Sequence, residues 1–236
     1  MKTGERVFTA DELRELDPRT LDILLETIEA GDKEKAKKLA NRMYKEYLSM
    51  HDLYRNWSAA FMSYIYEKHG YKEFYEALKW AVRTGQEQFK ETYAQADFRR
   101  RVKMLAMGLR GHLQGLEIQE DDEKVCVRMT PCGSGERLFK EGGFGGPPHN
   151  FTLIKEASPL TYGDTDFPIY CSHACMQEIL WTEWFGYPVF VSFPVDKMGR
   201  NSCWYCIYKD PDAIPEEVYA RVGMKKPAGK ITANRP

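Results

Sequence analysis

The sequence predicts an α+β fold, with a helical N-terminal half followed by a mostly antiparallel sheet with helices packed on it. Eleven of the 12 prolines lie after residue 118. Helix interiors exclude proline, whereas strand edges and turns tolerate it. Apolar residues recur every three or four positions in the first half and alternate in the second. We therefore expect a helical region over 1–118, an α+β region over 119–223 that shares its core with the helices, and a loose tail over 224–236.

The helical region should begin with two short helices. Thr9 or Asp11 can cap the first helix, and Pro18 occupies the first position of a second helix that ends near Ala30. Longer helices are predicted over 33–69, 71–95 and 97–113, with Gly70 ending the first of them. That helix carries an apolar stripe, suited either to a core or to a homodimer contact, formed by Met43, Tyr47, Met50, Tyr54, Trp57, Phe61 and Tyr64.

The second half alternates between strand and turn patterns. Strands are predicted over 125–130, 151–156, 187–194 and 202–209, and a helix over 172–185 with Ser172 as its cap. The glycine-rich segment 141–148 is typical of an ordered loop or lid. Pro215 should open a last short helix.

Composition narrows the class of protein. The mean hydropathy is −0.56, and no run approaches the roughly 18 apolar residues of a membrane span. The net charge is −1, which argues against a nucleic-acid-coating protein. The N-terminus shows no apolar signal segment, so we expect a cytoplasmic protein with a small-molecule partner, and with neither nucleic acid nor membrane.

All six cysteines lie in the second half, and they suggest a metal site. Thiolates and imidazoles are the ligands that zinc prefers. The sequence therefore offers Cys132, Cys171, His173 and Cys203 as ligands of zinc or another divalent transition metal. Each could instead be a core residue. Cys126 and Cys206 are interpreted as plain buried hydrophobes.

Three residues are candidates for catalysis. His112 continues the inward face of its helix, where it could serve as an alternate ligand, a base or a satisfied core histidine. Glu178 follows Cys175 on the same predicted helix and could act as general base. Arg137 could clamp a substrate carboxylate.

Five residues are candidates for substrate binding. Gly133 and Ser134 could form an anion-binding nest or a simple turn. His149 could close over a ligand, and Trp181 and Trp204 could line a pocket or belong to the core.

These features resemble two related families, the L-2-amino-thiazoline-4-carboxylic acid hydrolase-like proteins and the 4-vinyl reductase domains. The matching stretches are 125–132, 170–185 and 189–210. A subgroup of unassigned activity is similar at 109–112 (LRGH), 131–135 (PCGSG), 170–173 (YCSH) and 208–211 (YKDP). The resemblance implies a 4-vinyl-reductase-like α+β fold with a small-molecule pocket and a metal held by Cys and His.

Our leading hypothesis is a metal-dependent hydrolase of a small heterocyclic or amide-like substrate, in which zinc lowers the pKa of a bound water to about 7. One alternative is a non-catalytic binding or sensor module with a structural metal. A second is an enzyme without metal, in which Cys132 or Cys175 is the nucleophile and His173 or His112 its partner.

Overall fold

The structure is a computed structural model that describes residues 7–147 and 149–231. The chain divides into two compact units, Met1–Leu53 and Tyr54–Pro236. The boundary lies inside the long helix Lys33–Gln95. Residues 148 and 232–236, which include one end of the predicted loop and the last five residues of the predicted tail, lie outside the described residues.

The first unit contains α1 (Ala10–Leu16), α2 (Thr20–Glu29) and the start of α3 (Lys33–Gln95). Thr9 caps α1, because its hydroxyl accepts from the Glu12 N–H while the Glu12 carboxylate accepts from the Thr9 N–H. The second helix begins after Arg19. Pro18 therefore lies in the connection and not at the first helical position, contrary to the prediction.

The second unit contains the rest of α3 and all later elements. Gly70 interrupts α3 with φ 80° and ψ 178°, which confirms a helix end at this glycine; the chain then resumes as a helix. Asp97 caps α4 (Phe98–Arg110), accepting from the Arg100 N–H at 2.7 Å. Positive φ at Gly70 is a conformation that glycine adopts without strain.

Four antiparallel strands form the main sheet, in the order β1-β2-β6-β5. Their bounds are β1 (Gly115–Glu120), β2 (Lys124–Thr130), β5 (Val191–Phe193) and β6 (Trp204–Tyr208). A small second sheet pairs β3 (Leu153–Ile154) with β4 (Phe167–Pro168). The helices are α5 (Gly135–Lys140), α6 (Ser172–Phe185) and α7 (Glu216–Ala220). The α+β prediction is confirmed, although β1, β4 and α5 were not anticipated and three of the predicted strands are shorter.

The core of this unit joins helices to the sheet. Val125, Val127 and Met129 alternate along β2 and point into the same cluster as Leu109 of α4 and Trp181 of α6. The sheet therefore shares its core with α4 and α6. Residues of the C-terminal segment also pack: the Ile231 N–H donates to Asp212 at 2.8 Å.

The apolar stripe of α3 within this unit faces solvent. The exposed fractions of Tyr54, Trp57, Phe61 and Tyr64 are 56%, 52%, 66% and 58%. The buried face is a different one, on which Arg55, Ala59 and Ser63 lie. There the Arg55 guanidinium bonds the Glu141 carboxylate at 2.6 Å, and the Ser63 hydroxyl accepts from the Thr152 N–H at 3.0 Å. The stripe is therefore a surface rather than a core.

Cys126 and Cys206 form a disulfide between β2 and β6, where they are directly opposite partners. The interpretation of both as plain buried hydrophobes is therefore wrong. Antiparallel pairing brings their β-carbons within bonding reach, which the 80-residue separation in sequence hides.

Candidate functional site

Six of the predicted site residues line one cavity of about 390 Å³ in the second unit. The cavity lies where the end of α4, the turn before α5, the start of α6 and the start of β6 meet. The six residues are His112, Cys132, Ser134, Cys171, His173 and Cys203. These six residues lie together although 91 positions of the chain separate His112 from Cys203.

The remaining wall is apolar with a few polar groups. Apolar and aromatic side chains come from α3, α4 and the sheet, among them Phe89, Tyr93, Leu105, Met129 and Phe190. Gln86, Gln177 and Asn201 supply uncharged polar groups. Among the described residues, no Lys or Arg lines this cavity. Because a buried anion needs a cation or several donors, the wall suits an uncharged ligand.

A buried carboxylate shapes the turn that carries Cys132. The Cys132 N–H donates to Ser202 Oγ at 2.6 Å and to Glu136 Oε2 at 3.0 Å, and the Ser202 hydroxyl donates to the same Glu136 oxygen. Burial acts to raise the pKa of Glu136, but hydrogen bonds from Lys140, Ser202 and the Cys132 N–H hold it below its ordinary value. Glu136 is therefore an ionised structural anchor, with Lys140 Nζ 2.6 Å from its other oxygen.

His173 is a neutral imidazole with a defined tautomer. Its Nδ1 lies 2.5 Å from the Tyr170 carbonyl oxygen, and a carbonyl can only accept, so Nδ1 carries the proton. Burial lowers the pKa of His173, with the Tyr170 carbonyl opposing the shift. The Nε2 atom therefore keeps its lone pair, as in many metal-binding histidines.

The buried thiols are protonated. Burial raises the pKa of Cys171 well above its ordinary value and that of Cys203 to about 12, and the neighbouring sulfurs add to both shifts. The Cys203 sulfur lies 3.1 Å from the sulfur of Met198. Without a cation beside them these two sulfurs are poor nucleophiles. Nowhere in the described chain do three or more His, Cys, Asp or Glu side chains stand where they could hold a metal ion.

The PCGSG segment is shaped by close contacts at its two glycines. A β-carbon at Gly133 would lie 2.8 Å from Cβ of His112, and one at Gly135 would lie 2.8 Å from Sγ of Cys171. Glycine at these positions allows both side chains to reach the cavity. Between them, buried Ser134 places its hydroxyl 3.3 Å from His112 Nδ1. Burial raises the pKa of the nearby Tyr170 phenol, and the Ser134 side chain opposes the shift.

Glu178 lies outside the cavity lining, in a buried ion pair. Both of its oxygens accept from Arg221 Nη2, at 2.9 and 2.8 Å. Tyr162 and the Ser192 N–H donate to it at 2.7 and 2.6 Å. Burial raises the pKa of Glu178, and the contact with Arg221 opposes this shift. These four contacts occupy the Glu178 carboxylate, which is fully buried. A substrate therefore cannot reach it, and its role is structural.

Arg137, predicted as a carboxylate clamp, bonds Glu141 at 2.9 Å and the Gly133 carbonyl at 3.4 Å instead of lining the cavity. Exposed His149 stacks on Phe151, 5.1 Å between ring centroids.

The two predicted pocket tryptophans also lie outside the lining. Trp181 packs in the core, 4.9 Å from the ring of Tyr93, and Trp204 lies under Arg128 at 4.5 Å.

Several site residues escaped sequence reasoning. Tyr170 and Tyr205 line the cavity, and Glu136 and Ser202 hold the Cys132 turn. Tyr170 was detectable, since it directly precedes the Cys-Ser-His segment. Ser202 was not, because it acts 70 residues away from Cys132.

Comparison of the chain with protein-family models, with curated proteins and with solved structures finds no match. No helix in the described part of the chain combines the length and apolarity needed to cross a membrane.

Proposed function

We propose that the chain is a hydrolase that binds a small, uncharged molecule in this cavity and cleaves an amide-like or heterocyclic bond in it. The observation that carries the proposal is the convergence of His112, Ser134, His173 and three free cysteines on one cavity of about 390 Å³. This volume falls within the ordinary range of small-molecule sites, roughly 300–1,000 Å³.

The charge of the wall supports an uncharged substrate. Glu136, the only carboxylate in the lining among the described residues, is bound to Lys140 and the Cys132 turn. Arg137 is engaged outside the cavity. A substrate carboxylate would therefore lose its water shell without gaining a counter-charge. This differs from the carboxylate-bearing substrate that the predicted Arg137 clamp would bind.

A ligand screen by thermal shift tests the proposal. It uses pairs of small amides and heterocycles that differ only by a free carboxylate, and mass spectrometry then follows turnover of the compounds that bind. We expect the neutral member of a pair to stabilise the protein and to be hydrolysed. Preference for the carboxylates, or binding of neither member, would overturn the proposal. Binding without turnover would instead indicate the non-catalytic sensor module.

A metal-dependent hydrolase is the second candidate, favoured by three free thiols and the Nε2 of His173 in one wall. The donor chemistry suits zinc or another divalent transition metal. The arrangement does not, because no metal-holding group of three or more such side chains is assembled in the described residues. Metal analysis of untagged protein tests this second candidate. Stoichiometric zinc in the parent protein that is lost in Cys171→Ser and in His173→Ala would support the metal-dependent enzyme.

We also propose that a second copy of this chain covers the exposed aromatic face of α3, defined as Tyr54, Trp57, Phe61 and Tyr64. Their spacing of 3, 4 and 3 residues is that of a coiled-coil seam. No charged residue occurs from Trp57 to Tyr66. With more than half of each ring exposed and ~200 Å² per aromatic side chain, the face offers ~450 Å² per copy. Two copies then bury ~900 Å², the size of a weak, reversible interface.

The disulfide bears on the cellular location. A cytoplasmic location would require the Cys126–Cys206 bond to persist against cellular thiols, which is uncommon. Alkylation of cysteines in freshly lysed cells tests it. Four modified cysteines would show an intact disulfide and favour an oxidising compartment, and six would show a reduced pair and favour the cytoplasm.

A further inference from the structure

We propose that Ser134 is the nucleophile of this cavity and His112 its general base, and that the substrates are uncharged esters or amides of small carboxylic acids. This inference rests on the proposed function. Ser134 Oγ lies 3.3 Å from His112 Nδ1, and both residues line the cavity. A nucleophile and base within hydrogen-bond reach, with the distance slightly long before substrate binds, are the expected geometry.

The backbone presents the Ser134 hydroxyl to the cavity. Ser134 precedes the first residue of α5, with φ −120° and ψ −83°, a conformation of neither helix nor strand. Its hydroxyl makes no capping bond to α5, unlike most serines at this position. Gly133 removes the β-carbon that would hold His112 away. The hydroxyl is therefore directed at His112 instead of stabilising the helix.

A serine hydroxyl has a single proton. For Ser134 to donate that proton to His112 across the 3.3 Å contact, His112 Nδ1 must be the unprotonated nitrogen of a neutral ring.

The other groups of the wall are weaker nucleophiles. The Cys203 sulfur contacts the Met198 sulfur at 3.1 Å, and the Cys171 sulfur lies against Gly135 and Gly199, positions that supply no base. Glu136 is bound by three donors, and Glu178 lies outside the lining. Cys132 is the remaining rival, and the experiment below separates it from Ser134.

The reaction balances with water as the only second substrate. Ser134 Oγ attacks the carbonyl carbon and its proton passes to His112 Nδ1. The C–N or C–O bond breaks, and the leaving amine or alcohol takes that proton from His112. Water then attacks the acyl-serine, gives a proton to His112, and releases the carboxylic acid as the proton returns to Ser134 Oγ. No oxidant or metal is required.

Labelling with diisopropyl fluorophosphate, a small uncharged serine reagent, tests the assignment on the intact protein. We expect one phosphoryl group per chain, mapped by peptide mass spectrometry to Ser134. Labelling should disappear in Ser134→Ala. It should persist in Ser49→Ala, the same substitution at an exposed serine of α3 outside the cavity. In His112→Gln the rate of labelling should fall by ~100-fold or more, which is the usual effect of removing a general base. Melting curves establish that each variant is folded.

The outcomes separate the two proposals. Absence of label on Ser134 in folded protein overturns the inference, as does hydrolysis that persists in Ser134→Ala. Either result leaves the proposed hydrolase standing, with a different nucleophile; selective iodoacetamide modification of Cys132 would then identify it. Failure of every neutral amide and ester to bind or turn over would sink the proposed function itself.

Discussion

Replacing Gly108 with leucine should narrow the cavity and at the same time stabilise the protein. Gly108 lies in α4 and lines the cavity, and no atom lies within 4 Å of the position its β-carbon would take. A leucine in a helix is favoured over glycine by about 0.8 kcal/mol. For a chain of this size that corresponds to a rise in Tm of roughly 2–3 °C. The four added carbons extend from the wall into space that a ligand would occupy.

Gly85→Leu is the matched control. Gly85 is also an exposed helical glycine with no atom near its β-carbon position, but it does not line the cavity. Both variants should melt above the parent protein, whereas only Gly108→Leu should weaken a ligand found in the neutral screen. We expect a loss of tenfold or more in affinity, about 1.4 kcal/mol, measured by calorimetry. Equal affinity in the two variants would refute the cavity as the binding site. If Gly108→Leu destabilised the protein while Gly85→Leu did not, the space beside Gly108 would not be open as the structure describes it.

Three further predictions follow from buried charge and from the exposed aromatic face. Glu178→Gln should cost about 3–5 kcal/mol in urea denaturation, because it leaves the charge of Arg221 buried without its partner; a loss below 1 kcal/mol would contradict this. The pKa of Glu136 is lowered in the fold, so its contribution to stability is present at neutral pH and is lost as the pH falls through the acid range; Glu136→Gln should flatten that part of the stability curve. Phe61→Glu should convert a dimer to a monomer in light scattering while the exposed Val195→Glu does not, and a parent protein that is monomeric at high concentration would disprove the dimer.

Several cavity residues could be singled out from the sequence because chemically reactive residue types cluster in short segments. Cys171 and His173 lie two positions apart, and the glycines beside Cys132 mark a turn. Residue type and local spacing therefore indicated a site. They could not indicate its charge, since the roles of Arg137 and Glu178 depend on partners that only the folded chain brings near.

The faces of α3 show a second limit. The three- and four-residue spacing correctly predicted a helix, and it singled out Trp57 and Phe61 as one stripe. Periodicity does not say which face meets the rest of the unit. The buried face presents Arg55 and Ser63, whose burial is stabilised by bonds to Glu141 and to the Thr152 N–H. Two polar residues that find partners far along the chain decide which face is buried, a choice that hydrophobicity alone left open.

The disulfide between β2 and β6 fixes the pairing register of these two strands. A slip of one residue between two strands would turn every side chain to the opposite face of the sheet. On β6 such a slip would remove Tyr205 from the cavity and bring Cys206 into its place. A bond between two directly opposite residues permits one pairing and excludes its neighbours. The Cys126–Cys206 bond therefore selects which side chains form the floor of the cavity, so that its integrity is a condition for a ligand to find the same wall in every molecule.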